Sequence, residues 1–164
     1  MQRAAALADL VNRVVGRAVR WLAIGMVLVQ FAVVVGRYVF GIYDIAAQES
    51  VLYMHAALFM LAAGWTLQKD AHVRVDILYA RVSPGIRRAI DVAGHVLFLI
   101  PSMLALLWWS WPSVRNSWAI LEGPISVGGI EAVFLMKSLI PAFCVLLILQ
   151  SLAILVRLLA GRPG

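Results

Sequence analysis

Four stretches of the chain carry no Asp, Glu, Lys or Arg, and they limit the possible folds more than any other feature of the sequence. They cover residues 21–36, 50–68, 92–114 and 138–156 and are 16, 19, 23 and 19 residues long. A helix that rises about 1.5 Å per residue needs about 20 residues to cross a hydrocarbon core about 30 Å thick. Each stretch reaches that length once its flanking residues are added. The sequence therefore predicts an all-α integral membrane protein with four transmembrane helices.

The composition excludes most other classes of protein. Hydrophobic residues make up 63% of the 164 residues and charged residues 13%, whereas a soluble domain has about 45–50% and about 25%. The segments between the predicted helices are much shorter than the roughly 50 residues of a small independent domain. The sequence contains no Gly-rich phosphate-binding loop, no Ser/His/Asp combination typical of a catalytic triad and no Cys/His cluster with the spacing of metal ligands. It therefore favours a membrane protein that is not an enzyme and that holds no cofactor or metal.

Basic residues are distributed unevenly between the two sides of the predicted bundle. Eleven of the fourteen Lys and Arg residues fall in the N-terminal segment, in the loop between the second and third spans, or in the C-terminal tail. Arg37 and Arg115 fall on the other side, and Lys137 lies inside the last span. The positive-inside rule then places both termini and the middle loop in the cytoplasm. This orientation explains the net charge of +6 without a nucleic-acid partner.

The first 20 residues predict an amphipathic helix that lies in the membrane interface. Apolar residues recur there at helical spacing, and the opposite face is polar: Asp9, Asn12, Arg13, Arg17 and Arg20. We expect the basic face to meet the headgroups of anionic membrane lipids. A plain helical extension of the first span is the alternative.

The whole chain is predicted to be a single membrane domain. The amphipathic helix covers residues 1–20, and the spans cover about 21–43, 46–68, 90–114 and 130–157. A cytoplasmic loop covers residues 69–89 and a periplasmic loop covers residues 115–129. Ser83 and Pro84 have the chemistry of a helix start, so the third helix is expected to begin near residue 84. Pro101 predicts a kink within that helix, because proline removes a backbone hydrogen bond and crowds the preceding turn.

Ionisable side chains are few inside the predicted spans. Glu49 and Lys137 both belong to the outer halves of their helices, so an ion pair between them would ease their burial. Alternatively, Lys137 extends to the outer headgroups while Glu49 lies in water, or either residue contacts another subunit. His55 and His95 differ in depth by about 10 Å or more, so they are poorly placed as the two axial ligands of one haem.

Short motifs along the chain resemble the small membrane subunit, the DctQ-like small permease, of tripartite ATP-independent periplasmic (TRAP) transporters. In the N-terminal half these motifs are Arg37-Tyr38-Val39-Phe40, Gln48-Glu49, Gly64, His72-x-x-x-Asp76 and Ser83-Pro84. In the C-terminal half they are Trp118, Leu121-Glu122-Gly123, Gly128-Gly129, Lys137, Ile140-Pro141 and Gln150. The resemblance covers about residues 20–155 and rests on the order and spacing of the motifs. Tyr43-Asp44-Ile45 departs from it, since the family often has a tryptophan ahead of Gln48-Glu49.

The resemblance implies a non-catalytic subunit in the inner membrane of a bacterium. Members of this family pair with a large multi-spanning permease, which binds substrate and sodium and moves by an elevator mechanism. A periplasmic substrate-binding protein docks transiently and delivers the substrate, usually an organic acid taken up by symport. The small subunit enlarges the static scaffold. By position, the candidates for family-motif or partner-interface residues are Arg37, Glu49, Gly64, His72, Asp76, Gly128, Gly129 and Lys137, and the candidates for contact with the binding protein are Arg115, Trp118, Glu122 and Glu131.

Two other classes of function stay open on the residues alone. A self-assembling small transporter or channel would line its path with Glu49 from several copies. A membrane anchor subunit of a respiratory enzyme would belong to a redox complex. Transport by the isolated chain would identify the first class, and a haem spectrum would identify the second.

Overall fold

The computed structural model describes residues 2–72 and 82–160, and these ranges contain helices and no strand. The helices are α1 (Gln2–Val19), α2 (Leu22–Val39), α3 (Ile45–Gln68), α4 (Pro84–Ala93), a π-helical segment (Gly94–Leu99), α5 (Ile100–Ala119) and α6 (Val133–Leu159). Four helical stretches are long and apolar enough to cross a membrane: Gln2–Val39, Ile45–Gln68, Pro84–Ala119 and Val133–Leu159. The prediction of an all-α protein with four such helices is confirmed.

Helix α6 lies at the centre of the bundle, where it packs against α1, α3 and α5. It buries more side chains than any other described helix: Cys144, Leu146, Leu147, Gln150, Ser151, Ala153, Leu155 and Leu158. Helix α2, in contrast, packs along α3 and buries none of its residues. An apolar helix that leaves this much surface exposed is suited to lipid or to a partner helix.

Helix α1 packs along α3 and α6. The buried residues of α1 are mainly small or polar: Ala5, Asn12, Gly16 and Val19. Gly16 permits the close approach, because a Cβ at this position would lie 2.5 Å from the Cβ of Trp65. Asp9 and Asn12, two residues of the polar face expected from the sequence, both bond to side chains of α6.

The remaining surface of α1 is divided between an apolar and a basic face. Leu7, Leu10 and Val14 are exposed on the apolar face. Arg13 and Arg17 are exposed on the basic face. One side of α1 therefore contacts the bundle, while the apolar and basic side chains on its other sides are exposed.

The third span is interrupted before Pro101. Helix α4 begins at Pro84, and the N-cap residue Ser83 accepts a hydrogen bond from the backbone N–H of Ile86 at 3.5 Å. The turn that precedes α5 is π-helical, and its last bond runs from Ile100 N–H to the carbonyl of His95. A wider turn accommodates a proline ring that would crowd an α-helical turn. The distortion expected at Pro101 therefore lies mainly in the segment before it.

The helix boundaries near the loops differ from the predicted spans. Helix α2 ends at Val39, four residues before the expected end at residue 43. Helix α5 continues to Ala119, and α6 begins at Val133, so the connecting loop covers residues 120–132 instead of 115–129. In the extended part of α5, Trp118 donates a hydrogen bond to Ser138 of α6. Absence of charge marks where lipid begins, and helices commonly continue beyond that point.

Candidate functional site

Polar side chains gather at the two ends of the bundle. We call the end that contains Asp9, Asn12, Gln68, Gln150 and Arg157 the α1 end, and the end that contains Glu49 and residues 117–138 the loop end. Glu49 lies near the start of α3 and Gln68 at its end. The helical rise between these two residues is about 28 Å. The two clusters are thus separated by about the thickness of a bilayer's hydrocarbon core.

Two fully buried amides join α1 to α6 at the α1 end. Asn12 Nδ2 donates to Gln150 Oε1 at 3.1 Å and to the carbonyl of Leu146 at 3.3 Å. Both Asn12 and Gln150 are 0% exposed. A buried amide is costly unless it is hydrogen-bonded, so each of these residues offsets the cost of burying the other. Their pairing specifies how α1 lies on α6.

Asp9 extends the same network. Its carboxylate accepts a hydrogen bond from Gln150 Nε2 at 3.0 Å and forms an ion pair with the guanidinium of Arg157. Its backbone carbonyl accepts from Gln68 Nε2 of α3 at 3.2 Å. One residue of α1 therefore bonds to both helices on which α1 packs. Helical periodicity in the sequence does not reveal this cluster.

Gly64 is the family-motif residue that lies against this network. It is buried, and a Cβ at this position would lie 2.8 Å from Asn12 Cγ and 3.2 Å from the carbonyl oxygen of Leu146. A side chain at residue 64 would therefore displace Asn12. The small residue is required by the approach of α1 and α6 to α3.

Glu49 lies at the loop end, near the start of α3. Its Oε2 accepts a hydrogen bond from the backbone N–H of Ile130 at 2.8 Å. Gly129 lies directly against the carboxylate, since a Cβ there would be 2.5 Å from Glu49 Oε2. Gly128 has a φ of +83°, a conformation that favours glycine and turns the chain toward Glu49. The Gly128-Gly129 pair thus brings loop backbone to a glutamate of α3.

Lys137 pairs with Glu122 rather than with Glu49. Its Nζ lies 2.5 Å from Glu122 Oε2, and this hydrogen bond lowers the pKa of Glu122 below the ordinary value. Because the pKa is lower in the folded state, the pair stabilises the fold above the unfolded-state pKa of glutamate. That stabilisation is lost as the pH falls through the folded-state value.

Trp118 connects the end of α5 to the start of α6. Its Nε1 donates to Ser138 Oγ at 2.8 Å, and its ring meets that of Phe134 edge-on with the ring centroids 4.7 Å apart. Trp118 and Glu122, both candidates for contact with the binding protein, therefore also bind α6 within the chain. Arg115 and Glu131, the other two candidates, are exposed.

The remaining candidate residues do not join either cluster. The guanidinium of Arg37 lies over the ring of Tyr43, 5.1 Å from its centroid. His72 is exposed beyond the end of α3, and Asp76 lies outside the described residues. His95 Nδ1 is 2.8 Å from Ser151 Oγ, whereas the His55 ring stacks on Phe59. These two histidines have different neighbours and do not form a ligand pair.

The region between the two clusters is apolar. A groove of about 960 Å³ lies there, and its lining includes Leu104, Leu107, Trp111, Pro141, Val145 and Leu146. Within the described ranges, no group of three or more His, Cys, Asp or Glu residues is placed to hold a metal ion. The polar groups found at the two ends connect helices and loop to one another.

A comparison with protein families identifies a match over most of the chain. The family described as "Tripartite ATP-independent periplasmic transporters, DctQ component" matches residues 26–161. No curated protein matches the chain. The match includes Glu49, Gly64 and Lys137 and begins after α1, which nevertheless packs on matched residues of α3 and α6. DctQ components work with a large permease and a periplasmic binding protein. The chain belongs to the DctQ family, the small permease components of TRAP transporters.

Proposed function

We propose that this chain is a non-catalytic scaffold subunit for a large elevator-type permease in the bacterial inner membrane. The complex would take up an organic acid delivered by a periplasmic binding protein, driven by an ion gradient. In this proposal the large permease binds the solute and moves it. The small subunit stays fixed and enlarges the part of the complex that does not move.

The observation that supports this proposal most directly is how the chain uses its polar side chains. Asn12, Gln150, Asp9 and Arg157 bond to one another at the α1 end, and Glu122 bonds to Lys137 at the loop end. The groove between these clusters is lined by apolar side chains. An organic anion crossing the membrane needs cationic or hydrogen-bonding groups along its path. The described bundle is better suited to hold its own shape than to provide that path.

We further propose the orientation and the contacts that follow from this role. The α1 end faces the cytoplasm, in agreement with the excess of Lys and Arg there. The basic face of α1 meets anionic lipid headgroups at that surface. The loop end then faces the periplasm, where residues 115–131 are the candidate contact with the binding protein. Arg115 and Glu131 are the exposed charged residues of that segment.

Co-purification with a large permease tests the proposal. We expect a tagged chain co-expressed with the large TRAP permease of its own organism to retain it through purification in mild detergent at close to one copy per chain. The physical reason is the exposed apolar surface of α2 and α5, which a partner helix would cover. Size-exclusion chromatography with mass measurement gives the stoichiometry.

A tagged unrelated four-helix membrane protein, expressed with the same permease, controls for nonspecific retention. A chain that purifies as a stable species and never retains the permease would contradict the proposal. Ion flux through liposomes that contain this chain by itself would instead favour a self-assembled channel.

A further inference from the structure

The carboxylate of Glu49 lies in a pocket at the loop end that is open to the surface. The pocket has a volume of about 370 Å³ and is lined by Tyr43, Ile45, Gln48, Glu49, Leu52 and Ser126. Glu49 itself is half-buried. Its Oε2 accepts from the backbone N–H of Ile130, a single neutral donor. The pocket therefore contains a half-buried carboxylate and space beside it.

No cation of the described chain neutralises Glu49. Within residues 2–72 and 82–160, no Lys or Arg nitrogen lies within 4.0 Å of its carboxylate. Lys137, the expected partner, is bonded to Glu122. Arg37 lies over the ring of Tyr43. A partly buried carboxylate near lipid is costly without a positive partner, so a cation from outside the chain would stabilise it.

The rim of the pocket has the character of a protein interface. Tyr43 and Leu52 are 58% and 54% exposed at its edge. Ile125 and Val127, on either side of Ser126, are fully exposed. Interfaces commonly surround a buried anchor with apolar residues that exclude water. Such a rim would be covered when a partner inserts a basic side chain into the pocket.

We propose that the Glu49 pocket receives a lysine or arginine side chain of the large permease and forms an intersubunit ion pair with it. This inference rests on the proposed function, since it needs that permease as the partner. The carboxylate supplies the charge, the Ile130 N–H fixes the position of Oε2, and the apolar rim excludes water around the pair. Glu49 thus acts as a determinant of assembly.

The test is retention of the permease by Glu49→Gln. Glutamine keeps the shape of the side chain and an oxygen that accepts from Ile130, but it removes the charge. We expect the affinity for the permease to fall at least about tenfold, because one member of a desolvated pair is lost. We also expect the thermal stability of the isolated variant to match the unsubstituted chain. Asp44→Asn is the matched control, an acid-to-amide change at the exposed N-cap of α3, where asparagine caps as well as aspartate does, and it should retain the permease fully.

Each outcome bears on the inference. If Glu49→Gln retains the permease as well as the unsubstituted chain does, the ion pair is absent and the inference fails. If replacing sodium with choline lowers the thermal stability of the isolated unsubstituted chain but not that of Glu49→Gln, the pocket holds a free cation and the inference also fails. If the unsubstituted chain never retains the permease, the proposed function fails and the inference fails with it. Loss confined to Glu49→Gln supports the intersubunit pair.

Discussion

Gly64→Ala is expected to destabilise the bundle by about 1–3 kcal/mol and to loosen α1, the range typical of overpacking a tight contact. The new Cβ would overlap the amide of Asn12 and press on the carbonyl of Leu146. Asn12 would then lose its bonds to α6, and Gln150 would be left buried with fewer partners. This cost opposes the gain of about 1 kcal/mol that alanine normally brings to a helix interior.

Unfolding in mixed detergent micelles measures this change, and limited trypsin digestion at the arginines of α1 reports whether the helix has loosened. The matched control is Gly94→Ala, where a Cβ would meet nothing within 4 Å. The control is expected to be neutral or slightly stabilising and to leave α1 protected. Equal stability and equal protection of the two variants would show that α1 does not pack on Gly64 as described.

Arg157→Met is expected to cost about 1.5–3 kcal/mol of unfolding free energy, the usual range for loss of a hydrogen bond to a charged group. The side chains of Arg157 and Asp9 are only 27% and 17% exposed. Removing the guanidinium therefore leaves a largely covered carboxylate whose remaining side-chain partners, Gln150 and Gln68, are neutral. Stability measured in the same micelles gives the cost.

A double-mutant cycle separates the ion pair from other effects of the substitution. Asp9→Asn combined with Arg157→Met is expected to recover part of the loss, because the stranded charge is gone. Arg13→Met is the control, since Arg13 is an exposed arginine of α1, and it should change stability by less than about 0.5 kcal/mol. If the two single effects simply add in the double variant, Asp9 and Arg157 are not coupled.

The four spans were predictable because charge is excluded from lipid, and an absence of charge over 16–23 residues can be read directly from the sequence. The start of the third membrane-spanning helix was also predictable from local sequence, because serine is a common N-cap residue and proline is common in the first turn. The boundaries of the 120–132 loop were less predictable. They depend on the contact of Trp118 with Ser138 of α6 and on the backbone bond from Val133 N–H to the carbonyl of Glu122, both of which are tertiary.

The partners of the polar residues could not be read from the sequence. Periodicity assigned Asn12 to a polar face, but it cannot tell whether that face meets water or a neighbouring helix that carries Gln150. Glu49 and Lys137 were considered as partners because their positions in the sequence predict similar depths in the membrane. In the structure Lys137 bonds to Glu122 instead, because the 120–132 loop folds back onto α6. Gly16 and Gly64 were the available signals, since small residues on two helices indicate close approach. Neither glycine identifies the residue that approaches it.

The central claim is that this chain holds a scaffold while its partner carries the solute, and uptake by reconstituted proteoliposomes tests it most directly. The large permease would be reconstituted with and without this chain, in the presence of the binding protein, its substrate and an inward ion gradient. Our account predicts substrate uptake when both membrane subunits are present, and none with this chain as the sole membrane subunit. Full uptake by the large permease without this chain, or uptake by this chain without the permease, would contradict it.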